Sequence, residues 1–321
     1  MGGNEREFAD KLKRAVGSGD LTTIRRLVKG GVNVNAKFWY DSTLLHEAVS
    51  LGQLDVVKLL IQANADINAT NEDRRSALHI AARAGHTDII SELLKNGSDA
   101  NIQTLDGKTA LHVAAWRGRQ DVVHQLVEAG ANVNLLDGDG WTALYWAAKL
   151  NYLDVVKLLV QHGAYLNCQV FKTGRTPLHE AVSKGYLKIV EYLIHEGADV
   201  SLTAKGESFS SLLLQNKHLT AQQVMKTMDL IINEGYNLHN DTVLKWNKLV
   251  LKLTNEKAYS PWLQDKQERV PPLSSLCRCH IRKQLSVCRR GKGISKSINK
   301  LPLPQIMLDF MLGNFQTASV T

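Results

Sequence analysis

The chain repeats itself. Thr43-Leu44-Leu45-His46, Ser76-Ala77-Leu78-His79, Thr109-Ala110-Leu111-His112, Thr142-Ala143-Leu144-Tyr145 and Thr176-Pro177-Leu178-His179 superpose, with their leucines 33, 33, 33 and 34 residues apart. A register held that long makes each copy one supersecondary unit and lets the core grow along a single axis by stacking. Stepping 33 back from Leu45 reaches Leu12 and stepping 34 forward from Leu178 reaches Leu212, which extends the lattice to six clear copies and a degenerate seventh. Gly19, Gly52, Gly85, Gly118 and Gly185 stand seven residues after their leucines, and Asn35, Asn68, Asn101, Asn134 and Asn167 stand twenty-three after.

Within one copy, Leu45, Ala48 and Val49 form the apolar stripe of a short helix whose small residues admit a close neighbour. Gly52 turns the chain, and Val56, Val57, Leu59, Leu60 and Ile61 supply a second helix with a broad apolar face. Such a face is covered only when copies pack on both sides, so no copy is stable alone. His46, His79, His112 and His179, one per copy at a fixed helix-start position, read as a structural hydrogen-bonding device rather than a metal or acid-base set. Asp66, Asp99 and Asp199 fall in turns, where Asp bonds its own backbone. In the seventh copy Leu219 stands where Gly is expected and Gly235 comes 23 residues after Leu212 rather than 19, which predicts a four-residue insertion at residues 217–222. Val243, Trp246, Val250 and Leu253 then make a stripe that would seal the last copy.

These columns resemble the ankyrin repeat. The resemblance implies an all-α fold: an ankyrin-repeat solenoid of helix-turn-helix units with β-hairpin finger loops over residues 5–240, followed by a capping helix and linker at 241–270.

Residues 271–313 read as a separate small module. After Pro271-Pro272, the residues Leu273, Leu276, Cys277, His280, Ile281, Gln284 and Leu285 share one helical face opposite Arg278, Arg282 and Lys283. Leu301-Pro302-Leu303-Pro304 is a stiff extended element, and Ile306, Met307, Phe310 and Met311 suggest another short amphipathic helix. Elements this small build no core of their own. The segment resembles a SOCS box, so the whole chain looks like a member of the ankyrin repeat and SOCS box family. In that family a Leu-x-x-x-Cys motif contacts Elongin C, which falls here on Leu273 and Cys277, with Ile281 and Arg282 completing the pattern and Leu276 and Leu285 assigned to the same contact. The Leu-Pro-Leu-Pro element resembles the box that selects cullin-5, carried here by Leu301, Pro302, Leu303 and Pro304, with Met307 and Phe310 where the family usually shows Leu and Tyr.

The implied function is a substrate receptor. Elongin B, Elongin C and cullin-5 with its RING partner would assemble on the SOCS box while the repeats hold an unidentified protein for ubiquitination and degradation. The alternative is a plain ankyrin scaffold whose C-terminal helices merely cap the repeats. No phosphate loop, nucleophile elbow or paired metal motif suggests an enzyme, and neither a cofactor nor a metal is expected. Cys277, Cys279, His280 and Cys288 lack the Cys-x2-Cys pairs of structural zinc modules.

Composition agrees: 44% hydrophobic and 22% charged residues lie in the globular range. The start, Met1-Gly2-Gly3-Asn4-Glu5-Arg6, offers no signal peptide, and Arg6 stands where myristoylation wants Ser or Thr. No run approaches the roughly 20 apolar residues of a spanning helix, so no membrane partner is expected and the protein is placed in the cytoplasm or nucleus. Three of the four cysteines crowd one segment, which suits reduced thiols rather than a disulfide framework. The net charge of +8 owes much to residues 266–300, which hold ten Lys or Arg against Glu268 alone. That clustering speaks against nucleic-acid binding, and Arg289-Arg290-Gly291-Lys292 reads as a solvated loop or an import signal.

Substrate would bind on finger turns and exposed inner-helix sides, where anomalous residues mark the candidates. Phe38, Trp39 and Tyr40 stack three aromatics in one finger, while Trp116, Trp141, Tyr145, Trp146 and Tyr165 concentrate aromatic area around the fourth and fifth copies. Aromatics are frequent interface anchors, although Tyr145 or Trp146 could equally wedge between helices. Arg74 and Arg75, with Lys172 and Arg175, would give the fingers a positive edge.

Overall fold

The computed structural model describes residues 3–234. Among them are fourteen α-helices, and extended pairing is limited to the isolated bridges Thr70–Ser76 and Ala204–Glu207 inside finger loops. The helices are α1 Gly3–Ser18, α2 Leu21–Lys29, α3 Leu44–Ser50, α4 Leu54–Gln62, α5 Ala77–Ala84, α6 Thr87–Lys95, α7 Ala110–Trp116, α8 Gln120–Glu128, α9 Ala143–Lys149, α10 Leu153–Gln161, α11 Pro177–Lys184, α12 Leu187–His195, α13 Phe209–Gln215 and α14 Ala221–Asn233. They group into two units that meet in sequence at Ala143 and Leu144.

Each unit is a stack of helix pairs. In the first, α1, α3, α5 and α7 pack in succession as an inner row and α2, α4, α6 and α8 as an outer row. In the second, α11 packs on α13, and α10, α12 and α14 follow one another. The inner helices approach closely because Ala48, Ala81, Ala82, Ala114, Ala115 and Ala181 are fully buried where larger side chains would hold them apart. Leu45, Leu78 and Leu111, with Val57, Leu60, Ile90, Leu93, Val123 and Leu126, fill the seam between rows. Ankyrin architecture follows from this alternation of small inner and broad outer faces.

The polar columns are the joints. Nδ1 of His46, His79, His112 and His179 accepts the backbone N–H of Thr43, Ser76, Thr109 and Thr176, at 3.1, 3.2, 3.1 and 3.3 Å, closing a capping box at each inner helix. Nε2 faces the carbonyl of Arg75, Lys108, Trp141 or Leu202 at 3.0 to 3.1 Å. An acceptor on one nitrogen and a donor on the other select the neutral Nε2–H tautomer. Burial lowers all four pKa values, that of His79 to about 4, so each ring remains a neutral bracket. The asparagine column works the same way. Oδ1 of Asn35, Asn68, Asn101 and Asn167 accepts the N–H of Asp66, Asp99, Asn132 and Asp199 in the following copy at 2.7 to 2.9 Å. Asp66, Asp99 and Asp199 in turn bond the N–H two residues on.

Fingers are tied tip to tip by backbone bonds: Glu72 N–H to Tyr40 O, Leu105 N–H to Asp73 O and Gly138 N–H to Asp106 O, at 3.0, 3.0 and 2.8 Å. Gly107 sits in this row at φ +71, and a Cβ there would stand 2.7 Å from the Gly138 amide nitrogen. Gly107→Ala is therefore expected to cost about 2 kcal/mol from the left-handed backbone alone, plus the displaced finger bond. A shift in the denaturant midpoint reports it, and an unchanged midpoint would mean that the two fingers part without loss.

The seventh copy departs from the expected lattice. Its inner helix takes Ser208 as N-cap, with the hydroxyl accepting Ser211 N–H, so buried Ser210 rather than Leu212 stands two residues after the cap, in the place of Leu178. The finger before it is shortened to a tight turn through Lys205 and Gly206, both at positive φ, which draws the helix start toward α12. The extra length expected at 217–222 is split: part lengthens the loop ahead of α14 and part lengthens α14 itself, 13 residues against 9 in α12. Asn216 in that loop donates to the Val182 and Ser183 carbonyls at the end of α11. The stripe of Val243, Trp246, Val250 and Leu253 lies outside the described residues.

Candidate docking surfaces

The first finger presents the most exposed aromatics. Phe38 N–H bonds Ser42 O at 2.8 Å and Ser42 N–H bonds Trp39 O at 3.2 Å, closing a one-turn 3-10 loop at Trp39–Asp41. Inside it Tyr40 and Asp41 both adopt left-handed backbone, φ 58 and 55, without being glycine. Such conformations cost about 1–2 kcal/mol per residue and persist only where the surroundings enforce them. Here the Lys37–Asp41 ion pair at 3.2 Å and the Glu72 N–H on Tyr40 O hold the loop. Its effect is to leave Trp39 80% and Tyr40 74% exposed, while Phe38 is half-buried under the Lys13 ammonium, 5.0 Å from the ring centre. Between this finger, α1 and α3 lies a cleft of about 280 Å³, with Glu47 and Asn71 on its walls.

The inner helices carry further aromatics. Trp116, at the end of α7, is exposed with the Arg117 guanidinium 4.4 Å over its ring. Trp146 on α9 is half-buried beneath Lys149, 5.4 Å from the ring, and Tyr165 is exposed. Trp141 is half-buried in the first unit, its backbone N–H donating to Asp137 Oδ1 and its backbone carbonyl facing His112.

Tyr145 requires correction as a surface anchor. It is 4% exposed, and its hydroxyl donates to buried Glu180 at 3.3 Å, so its ring fills the core. Burial and the Glu180 charge push its pKa up. The positive edge is weaker than the sequence suggests. Arg75 pairs with Asp73 in its own finger at 3.3 Å, as Lys108 does with Asp106 at 3.8 Å, and Arg175 turns in to Glu180 and Glu207. Arg74 and Lys172 remain exposed. Sequence reasoning missed two exposed apolar tips, Leu105 and Phe171. Leu105 shares a column with Trp39 and Glu72, so tip position alone marks it, and Phe171 sits in the finger where the spacing grows from 33 to 34.

The residues assigned to Elongin contact, Leu273, Leu276, Cys277, Ile281, Arg282 and Leu285, lie outside the described residues. So do those assigned to the cullin, Leu301, Pro302, Leu303, Pro304, Met307 and Phe310. Among the described residues no helix is long and apolar enough to cross a membrane, and no group of three or more His, Cys, Asp or Glu is placed to hold a metal ion.

Comparison with known proteins matches this architecture. The family model for ankyrin repeats matches residues 11–71, 63–137 and 121–204, and that for the SOCS box matches residues 269–312. Among solved structures, the ankyrin repeat domain of Bcl-3, described as a unique member of the IkappaB protein family, is 31% identical with a TM-score of 0.62, covering 68% of this chain and 97% of that domain. No curated protein matches the chain significantly. Repeats that stack as ankyrin units, followed by a SOCS box, make the chain a member of the ankyrin repeat and SOCS box family.

Proposed function

We propose that the chain is the substrate-recognition subunit of a ubiquitin ligase assembled on Elongin B, Elongin C and cullin-5 with its RING partner, acting in the cytoplasm or nucleus. The observation that carries this reading is the pairing of a binding scaffold with a SOCS box at residues 269–312. Ankyrin and SOCS box modules are adaptors, so the contribution is proximity: one end holds a protein while the other holds the machinery that modifies it, which raises the effective concentration of target lysines. Bond chemistry belongs to the partners. Leu273 and Cys277 are assigned to Elongin C, and Leu301 to Pro304 to cullin choice.

Co-purification tests it. Wild-type chain should capture Elongin B and Elongin C, and Leu273→Pro should abolish capture while leaving the melting of the repeats unchanged. Failure of the wild type to capture them would refute the reading, and loss of repeat stability in the variant would favour a scaffold whose C-terminal helices are a cap.

A further inference from the structure

We propose that the first finger is the open end of the finger ladder and docks an exposed reverse turn of the bound protein by its backbone, with the turn's tip carbonyl accepting the Trp39 N–H. The proposal rests on the substrate-receptor reading only for the identity of the protein that carries the turn.

Four fingers share one backbone. The N–H of Phe38, Asn71, Thr104 and Asp137 donates to the carbonyl four residues on, at 2.8, 3.1, 2.9 and 2.9 Å. Asp41, Arg74, Gly107 and Gly140 recur in one register, all at positive φ of 55, 57, 71 and 80. In the second, third and fourth fingers the N–H of Glu72, Leu105 and Gly138 is taken by a carbonyl of the finger before. The matching donor of the first finger is Trp39, and its N–H has no partner among the described residues, where no finger precedes it. An N–H left over at the edge of a ladder is a template for another backbone.

The ladder also names the occupant. Each time this position is filled within the chain, the acceptor is the tip carbonyl of a tight loop, that of Tyr40, Asp73 or Asp106. A reverse turn of a partner presents the same group. Trp39 and Tyr40 surround the open donor with rings 80% and 74% exposed, which gives an arriving turn apolar surface to cover. The loop is already held by the Phe38–Ser42 bond and the Lys37–Asp41 ion pair, so binding needs little further ordering on this side. Charge does not choose the partner. Lys13 and Glu47 bring opposite signs to the adjoining cleft, and Lys37 and Asp41 neutralise each other, so the turn is read by shape and backbone.

The test uses the full chain with isotope-labelled tryptophan, whose six backbone amide signals include that of Trp39, identified by its loss in Trp39→Phe. The probe is a disulfide-closed peptide holding residues 104–108 between two cysteines, a turn in which Asp106 and Lys108 balance in charge and the Asp106 carbonyl is free. We expect the Trp39 amide signal to move downfield saturably, as an N–H does on gaining an acceptor, with an affinity that added salt leaves unchanged. Trp39→Ala, which keeps the donor, should weaken binding about tenfold. Trp39→Pro, which removes it, should weaken binding about fivefold further, the worth of one net hydrogen bond. Trp39 opens the one-turn helix, where proline is most easily accommodated, and melting temperatures identify a variant that unfolds, in which case the wild-type amide shift decides. Equal weakening by the two variants, movement of the indole signal without the amide, strong salt dependence, or no binding to a chain that still captures Elongin B and Elongin C would each overturn the docking of a turn and leave the receptor reading standing. Loss of Elongin capture with the amide shift intact would strike only the latter.

Discussion

Lowering the pH from 6.5 to 4 is expected to remove roughly 3 kcal/mol of stability through His79 alone. In the folded chain His79 is buried, brackets Ser76 and Lys108, and titrates near 4 rather than 6.5. Between those values the unfolded chain binds a proton that the folded chain refuses, so the contribution is complete above 6.5 and fades as the pH falls. Protonation would place a donor on Nδ1, facing the Ser76 N–H that it now accepts. His46, His112 and His179 shift in the same direction for the same reason, so the losses compound. Urea midpoints measured across this range check the result. His79→Gln, which keeps a capping acceptor but does not titrate, should make the slope shallower, and an unaltered slope would mean that His79 is not a source of the acid sensitivity.

Arg175→Leu is expected to destabilise the second unit by about 3 kcal/mol, because it strands the charge of Glu180. Glu180 is 6% exposed, and its Oε2 accepts both the Tyr145 hydroxyl and Arg175 Nη1, while Arg175 Nη2 donates to Glu207 at 3.1 Å. Burial works against the arginine's charge, and the bonds to Glu207 and Glu180 outweigh it, raising its pKa. The companion double variant, Arg175→Leu with Glu180→Gln, should recover most of the loss, since a neutral amide can keep the Tyr145 bond. If the double variant is no better than the single one, the damage lies in packing and not in the abandoned charge.

The repeat lattice was readable because it is written in residues that answer to local geometry: histidine at a helix start, asparagine at a finger base, alanine where helices touch. The seventh copy was misread where that logic fails. A finger shortened through Lys205 and Gly206 moved the helix start, and counting from leucines slid the register onto Leu212 when Ser210 holds the place. Tyr145 looked like its exposed aromatic neighbours because its partner, Glu180, is 35 residues away, and only folding brings the two together. Arg75 likewise promised positive charge, yet its finger carries Asp73 to cancel it. The aromatics of the first finger could be named from sequence, whereas the cleft beneath them depends on Lys13 and Glu47, which are ordinary residues in their own helices.

The backbone bonds that join Tyr40 to Glu72, Asp73 to Leu105 and Asp106 to Gly138 involve no side chain. A pull on one tip is consequently shared along a stiff plate, while the groups that face a partner remain free to vary. Selection can therefore rewrite what this surface grips, one side chain at a time, without loosening the plate that carries it.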